Sequence, residues 1–223
     1  MTAKGQGRGA RSLDEMLEAL ATPSGTPAGG AAVALTGAMA AALVELCCRA
    51  GGAQAGGAQA GGAQAGGGQG EALAAYGREA NALRARLVRL SQQDGAAYRR
   101  VLRARRRPAQ SDGQREERER AVEAAMRAAT SVPREIAAAC LGVLDIAERA
   151  VALVPHSMLG DLVVAAGLAS SCAAGAAVLM QLNVVSITDE AVRACSEVVG
   201  SDMERASAHL ATIEAAVRSQ LSP

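Results

Sequence analysis

The sequence predicts an all-α fold, a single domain built as a bundle of about seven helices. Three observations carry that prediction. Apolar residues recur at helical spacing: Leu83, Leu87, Leu90, Asp94, Ala97 and Val101 are separated by steps of four and three that place them on one face. No window alternates β-branched with polar residues as a half-buried strand would. Half of the residues are apolar, yet there is no Phe, no Trp and only Tyr76 and Tyr98. The core must therefore be assembled from Ala, Leu, Val, Ile and Met, whose small side chains let long helices approach closely over a large contact area. The 223 residues suffice for one domain with a full core and are short for two.

Residues 1–11 are basic and glycine-rich with no apolar stretch behind them, so they read as a disordered tail and not as a secretory signal; the domain itself is expected over 12–220. Ser12-Leu-Asp-Glu opens a first helix with Ser12 as N-cap and Glu15 three residues on, running to about Leu20. After the loop TPSGTPAGG comes an Ala-rich helix from about Gly30 to Cys48, buried nearly all round. Gly51–Gly70 repeats with period five, matches neither a helix nor a strand, and reads as a flexible loop. A long amphipathic helix is expected from about Glu71 to Arg105, followed by a loop containing Pro108 and Ser111-Asp-Gly. Further helices are expected at about Gln114–Thr130, from near Pro133 to before Pro155, and through the apolar run after Asp161. A C-terminal pair is expected to break near Gly200.

The formal charge of +1 implies no general attraction to nucleic acid or anionic membrane. Arg99, Arg100, Arg103, Arg105, Arg106 and Arg107 crowd one helix end, but cations are favoured there, acids lie close by in REERERAVE, and no aromatics interleave for base stacking. They read as a solvated face. Cys47, Cys48, Cys140, Cys172 and Cys195 form no C-x-x-C pair, as expected of buried thiols in a reducing compartment. Leu162–Thr188 has no charge and is long enough to span a bilayer, but Gly, Ser, Gln and Asn dilute it, and it reads as a helix buried within a cytoplasmic protein.

Asp94 occupies a position where the periodicity calls for a leucine. Burying a carboxylate in an apolar stripe costs several kcal/mol unless it is paired or protonated, and the same burial raises its pKa toward the range useful for general acid and base catalysis. Pairing with a neighbouring Arg at the edge of the stripe would explain the position equally well. Gly29 and Gly30 precede a long helix, which permits either close approach of a ligand to the backbone or close helix packing. Asp161 begins the second apolar run, as an N-terminal acid or a ligand contact; His156 nearby is a proton carrier or merely solvated. Asn183 is an amide inside LMQLNVVSI whose partners are a ligand or another helix.

Taken in order, these segments resemble the cyclodeaminase/cyclohydrolase family, which comprises the C-terminal half of formiminotransferase-cyclodeaminase and the stand-alone methenyltetrahydrofolate cyclohydrolases. SLDEMLEALATPSGTPAGGAAVALTGAMAAALVEL is similar to the family's opening helix, P-G-G-G-S loop and Ala-rich helix, and DGAAYRRVLRA to its D-x-x-A-[FY] segment. SVP at Ser131–Pro133, GDLVVAA at Gly160–Ala166 and LNVVSITD at Leu182–Asp189 continue the series. The resemblance implies a cyclodeaminase-like all-helical homodimer acting on a tetrahydrofolate derivative without a metal or a further cofactor. It would open or close the N5–C–N10 bridge, hydrolysing 5,10-methenyltetrahydrofolate to 10-formyltetrahydrofolate or cyclising formiminotetrahydrofolate with loss of ammonia. Asp94 would be the proton donor and acceptor, and Gly29, Gly30, His156, Asp161 and Asn183 would bind substrate. Ala31 replaces the serine of G-G-G-S, Val154-Pro155 replaces G-N, Gly160 replaces the serine of S-D, and Leu179 replaces the first Asn of N-V-x-I-N. Two further readings follow from these departures: the same scaffold turned to acid/base or ring chemistry on a non-folate substrate, and a catalytically silent helical scaffold.

Overall fold

In the computed structural model, residues 12–23, 28–59, 67–184, 187 and 190–221 are described, with the backbone alone at 56–59, 67 and 190–199. Among them are six α-helices: α1 Leu13–Ala21, α2 Gly29–Gln59, α3 Gly67–Arg105, α4 Asp112–Ala150, α5 Leu159–Val184 and α6 Glu190–Leu221. One turn of 3-10 helix, His156–Met158, leads into α5, and no strand occurs among the described residues. The expected tail at 1–11 lies outside them.

α1 forms for the reason the sequence suggests. Ser12 Oγ accepts the Glu15 N–H at 3.2 Å and the Glu15 carboxylate accepts the Ser12 N–H at 2.8 Å, closing both halves of the capping box. None of its residues is buried. The core is made by α2 to α5 arranged as a ring: α2 packs on α3 and α5, α4 on α3 and α5, and α6 lies across α5 and α4. The start of α2 meets the end of α5 at Leu179, and Cys47 near its far end meets Met158, so the two helices run antiparallel. Leu73, Leu87, Leu90, Ile136, Leu144 and Leu162 are fully buried between rows of alanine such as Ala34, Ala41, Ala165 and Ala176. Leu87, Leu90, Ala97 and Val101 all face inward, as their spacing required.

Three expected boundaries are corrected. Gly51–Gly70 is not a loop throughout: Gly51–Gln59 continues α2 and Gly67–Gly70 begins α3, while 60–66 lie outside the described residues. Close packing accounts for the helical part. A Cβ at Gly51 would come within 2.7 Å of Leu73 Cδ1 and 3.2 Å of Pro155 Cδ, so glycine lets the two chains approach, and burial there outweighs its weak helix propensity.

The helices expected on either side of Pro133 are one helix, α4, which begins at Ser111 with a second capping box. Proline has no N–H for the Ala129 carbonyl four residues back. That carbonyl instead accepts the side-chain amide of Asn183 at 3.2 Å, and Ser131 Oγ donates to the Ala128 carbonyl at 2.9 Å. The C-terminal pair is likewise one helix, α6, which passes through Gly200 without a break. Gly200 is exposed and a Cβ there would meet nothing, so its helical cost is only the small intrinsic one.

By length and composition alone, Gly29–Ala55 and His156–Val184 could each span a bilayer. In the fold these segments pack on each other and on the rest of the ring. Cys47, Cys48, Cys140 and Cys172 are buried and unbridged, and burial pushes the Cys47 and Cys48 thiols up to about 12 and about 11. The side chain of Cys195 lies outside the described residues.

Candidate active site

α3 carries Asp94 toward the first turn of α2. Its carboxyl rests directly against the Gly30 backbone: a Cβ at Gly30 would lie 2.7 Å from Asp94 Oδ2 and closer still to Oδ1 and Cγ. The two residues are thus a matched pair, because no side chain fits at 30 while an acid sits at 94. Half-buried Asp94 also accepts the backbone N–H of Ala31, one of the N–H groups that a helix start leaves without an intrahelical partner. Burial pushes its pKa up and the Ala31 hydrogen bond pulls it down, with burial the larger effect, so the carboxyl is held above its ordinary value of 3.8.

The pair opens onto a cavity of about 260 Å³ between α2, α3, α4 and α5. Gly29, Gly30, Asp94 and Asn183 all line it, so four of the six residues singled out in the sequence converge. Val101, Met126, Ala129, Pro133, Leu179 and Leu182 give it apolar walls, and Tyr98 and Arg105 stand at its open side. Asn183 enters this wall already committed to the Ala129 carbonyl that Pro133 leaves without a donor.

His156 and Asp161 do not join them. They lie beside Cys47, which is five helical turns from Gly29 along α2, a separation of roughly 27 Å. His156 is exposed in the 3-10 turn, and Asp161 occupies the first turn of α5, where an acid is favoured by the unpaired N–H groups of the helix start. Within one chain, neither residue lines the cavity that holds Asp94. Thr188 and Asp189, at the end of LNVVSITD, and the loop residues 24–27 lie outside the described residues.

Sequence reasoning missed Tyr98, Arg105, Met126 and Leu182 as lining residues. Tyr98, Val101 and Arg105 follow Asp94 by four, seven and eleven positions, so the period that exposed Asp94 also contained them. In the sequence Arg105 reads, with its neighbours, as a solvated cation. Met126 and Leu182 come from helices whose approach to Asp94 no local pattern encodes.

A larger cavity of about 500 Å³ lies between α2 and α3 near Cys48, Arg49 and Asn81. Two of its polar groups, Arg49 and Asn81, are engaged with Glu45. Asn81 donates to buried Glu45 at 3.1 and 3.2 Å, and Arg84 and Arg49 pair with the same carboxylate. Burial pushes the Glu45 pKa up, but these hydrogen bonds and charges outweigh it and hold it below its ordinary value. It is the smaller cavity that contains an acid without a countercharge among the described residues.

The class defined by fold and site is an all-helical protein with a partly open apolar cavity and one titratable carboxyl at a helix start. Comparison with known proteins narrows it. The family model described as formiminotransferase-cyclodeaminase matches residues 12–199. A curated relative, methenyltetrahydrofolate cyclohydrolase of Methylorubrum extorquens, is 29% identical over 141 residues, which span 63% of this chain and 63% of that relative. The alignment thus covers less than two thirds of the relative's length. The crystal structure of formiminotetrahydrofolate cyclodeaminase from Thermotoga maritima matches with a TM-score of 0.78 at 20% identity, covering 95% of this chain and 98% of that one, a likeness of fold. The chain belongs to the formiminotransferase-cyclodeaminase family.

Proposed function

We propose that this protein opens or closes the N5–C–N10 bridge of a tetrahydrofolate derivative, with Asp94 as the proton donor and acceptor. The observation that carries the reading is the Asp94 carboxyl, held above its ordinary pKa against Gly30 and facing an apolar cavity. Family membership and the likeness to a cyclohydrolase support this choice of reaction class.

In the hydrolytic direction, Asp94 as carboxylate takes one proton from the water that attacks the methenyl carbon, leaving a neutral carbinolamine. As the C–N5 bond breaks, the Asp94 carboxylic acid gives that proton to N5 while the carbinol proton leaves to solvent. The products are 10-formyltetrahydrofolate and one proton. Formiminotetrahydrofolate cyclodeamination uses the same traffic: N10 adds to the carbon of the protonated formimino group and gives its proton to the Asp94 carboxylate, and the acid so formed protonates the amino group as its C–N bond breaks, releasing ammonia and the 5,10-methenyl cation. A carboxyl with a raised pKa suits both halves, because it is basic enough to accept and acidic enough to return the proton. The chemistry as written draws on no metal or second cofactor.

A second reading is favoured by the cavity wall. Leu179 stands where the family has Asn, its side chain is in contact range of Gly29, and Leu182 lies beside it. A wall with fewer hydrogen-bonding groups fits a more apolar nitrogen heterocycle than the pterin, turned over by the same Asp94.

The reading extends to a cytoplasmic homodimer with neither nucleic acid nor membrane as partner. Met39 and Leu46 of α2 and Val164, Val178 and Leu182 of α5 are between 44% and 63% exposed on adjacent helices, and α5 carries no charge after Asp161. A second copy of the chain is the occupant that would cover such a face symmetrically. A Leu46→Glu/Val164→Glu variant that sediments like the wild type would overturn that part.

The decisive experiment mixes the purified protein with 5,10-methenyltetrahydrofolate, follows the loss of its near-ultraviolet absorbance, and repeats the measurement with Asp94→Asn. Turnover by the wild type and a loss of about 10²–10⁴ in the variant are expected. No rate above background would end the folate reading in this direction, and formiminotetrahydrofolate would then be offered for the other. Equal rates in both proteins would remove Asp94 from the chemistry.

A further inference from the structure

We propose that Arg105 is the residue that recognises an anionic tail on the substrate, making this site selective for an elongated molecule with a carboxylate at the end remote from the reacting nitrogens. The inference rests on the proposed C–N chemistry at Asp94 and adds where the rest of the substrate lies.

Among the described residues lining the cavity, Asp94 and Arg105 are the two ionisable groups other than Tyr98. They sit on the same helix, α3, eleven positions apart. Eleven residues at 100° each return to within about 20° of the same direction, and at 1.5 Å each they separate the two Cα atoms by roughly 16 Å. Long helical side chains lean toward the helix N-terminus, so the Arg105 side chain extends back along α3 in the direction of Asp94. Between them Ala97 and Val101 form an apolar floor, and Met126, Leu179 and Leu182 stand around it. The arrangement is a slot with a proton-transferring acid at one end, an apolar middle and a cation at its mouth.

Of the arginines clustered at this end of α3, Arg105 is the one that lines the cavity. Arg107 pairs with Glu117 at 3.2 Å, whereas no ion pair or side-chain hydrogen bond engages Arg105 among the described residues. A guanidinium presents a planar fork that matches a carboxylate with two parallel N–H donors. A tetrahydrofolate with its glutamyl carboxylates on the side away from the bridging carbon has the required order: polar ring, flat apolar linker, anion.

The test compares KM and kcat for 5,10-methenyltetrahydrofolate and for the matching methenyltetrahydropteroate, which lacks the glutamate, in the wild type, Arg105→Gln, Arg105→Lys and Arg103→Gln. Circular dichroism verifies that each variant is folded. For the glutamate-bearing substrate, Arg105→Gln should raise KM by about 10-fold with kcat within about twofold, the worth of one charge-assisted pair partly screened by solvent. Arg105→Lys should recover part of that loss, and Arg103→Gln, on the same helix but outside the cavity, should behave as the wild type. Removing the glutamate should raise the wild-type KM by a similar factor and erase most of the penalty of Arg105→Gln. If the wild type turns over both substrates and Arg105→Gln matches it on the glutamate-bearing one, the assignment of Arg105 is overturned while the reading of Asp94 stands. If the wild type turns over neither substrate, nor binds 5-formyltetrahydrofolate in a calorimetric titration, the folate reading itself fails, and the assignment of Arg105 to its tail falls with it.

Discussion

Replacing Gly30 by Ala tests whether the meeting of α2 and α3 is as tight as the geometry requires. In an ordinary helix the change would stabilise by about 0.5–1 kcal/mol, because alanine has less backbone entropy to lose. Here the added methyl would fall within 2.7 Å of Asp94 Oδ2 and nearer still to Oδ1 and Cγ. The carboxyl must swing away or the start of α2 must shift. Strain of this kind costs about 1–3 kcal/mol, and losing the Ala31 hydrogen bond adds about 1 kcal/mol. Set against the propensity gain, the net loss should be about 2 kcal/mol, or roughly 4–8 °C in Tm for a chain of this size. Activity should fall about 10²-fold, since a displacement of about 1 Å at a reacting group is enough for that. Two controls make the result specific. Gly29→Ala would meet only Leu179 at 3.8 Å, an ordinary contact, and should shift stability by less than about 0.5 kcal/mol. In an Asp94→Ala background the clash has no partner, so Gly30→Ala should become neutral or stabilising, giving a coupling of about 1–3 kcal/mol between the two positions in urea melts. A Gly30→Ala protein that is as stable and active as the wild type would refute the reasoning, as would equal destabilisation in both backgrounds.

Three further outcomes follow from the same geometry. Asn183→Ala leaves the Ala129 carbonyl without its donor and should cost about 1 kcal/mol, less in a Pro133→Ala background where a restored N–H can take its place; equal losses in urea melts would disprove the compensation. Asp94 binds its proton more tightly folded than unfolded, so its contribution is complete below the unfolded pKa and is lost as pH rises through the folded one; Asp94→Asn should lack that slope and gain on the wild type in melts taken from pH 4 to 8. Glu45 has the opposite sign. Its contribution is present above its unfolded pKa of about 4.3 and is lost as pH falls through the lower folded value, so Glu45→Gln should flatten the acid limb of the stability curve.

The helices and one end of the site were legible because they depend on local order. Period and capping located α1 and α3 to within a few residues, and the interrupted stripe singled out Asp94. What misled was punctuation whose cost is met from elsewhere in the fold. Pro133 reads as a helix boundary because the sequence around it contains no donor for the Ala129 carbonyl; the donor arrives from Asn183, fifty-four residues away. Gly51 reads as a loop because its packing partners Leu73 and Pro155 likewise come from other parts of the chain. Asn183 reads in the sequence as an amide that needs partners, and the structure supplies one from a neighbouring helix. The walls at Met126, Leu179 and Leu182 could not be read at all, since their proximity to Asp94 is a property of how four helices meet.

The comparison of Asp94 with Glu45 explains why pattern alone left the role of an acid in an apolar helix open. Both interrupt apolar surfaces, and both are buried enough for desolvation to be the largest influence on their titration. Glu45 is surrounded by Asn81, Arg84 and Arg49, so its negative charge is fully compensated and its proton is given up readily. That arrangement locks α2 to α3 and leaves nothing for a ligand. Asp94 receives a single backbone hydrogen bond and no countercharge among the described residues, and the cavity lies on its open side. The arginines nearest in sequence, Arg89 and Arg99, are each five positions from Asp94 and line no part of its cavity, and the one that does line it stands three turns along the helix. An acid so placed keeps its proton affinity high, and a cation at that distance is too remote to quench it but well positioned to meet a bound anion. The partners that Glu45 has and Asp94 lacks, more than burial, separate the structural carboxylate from the one proposed for the chemistry.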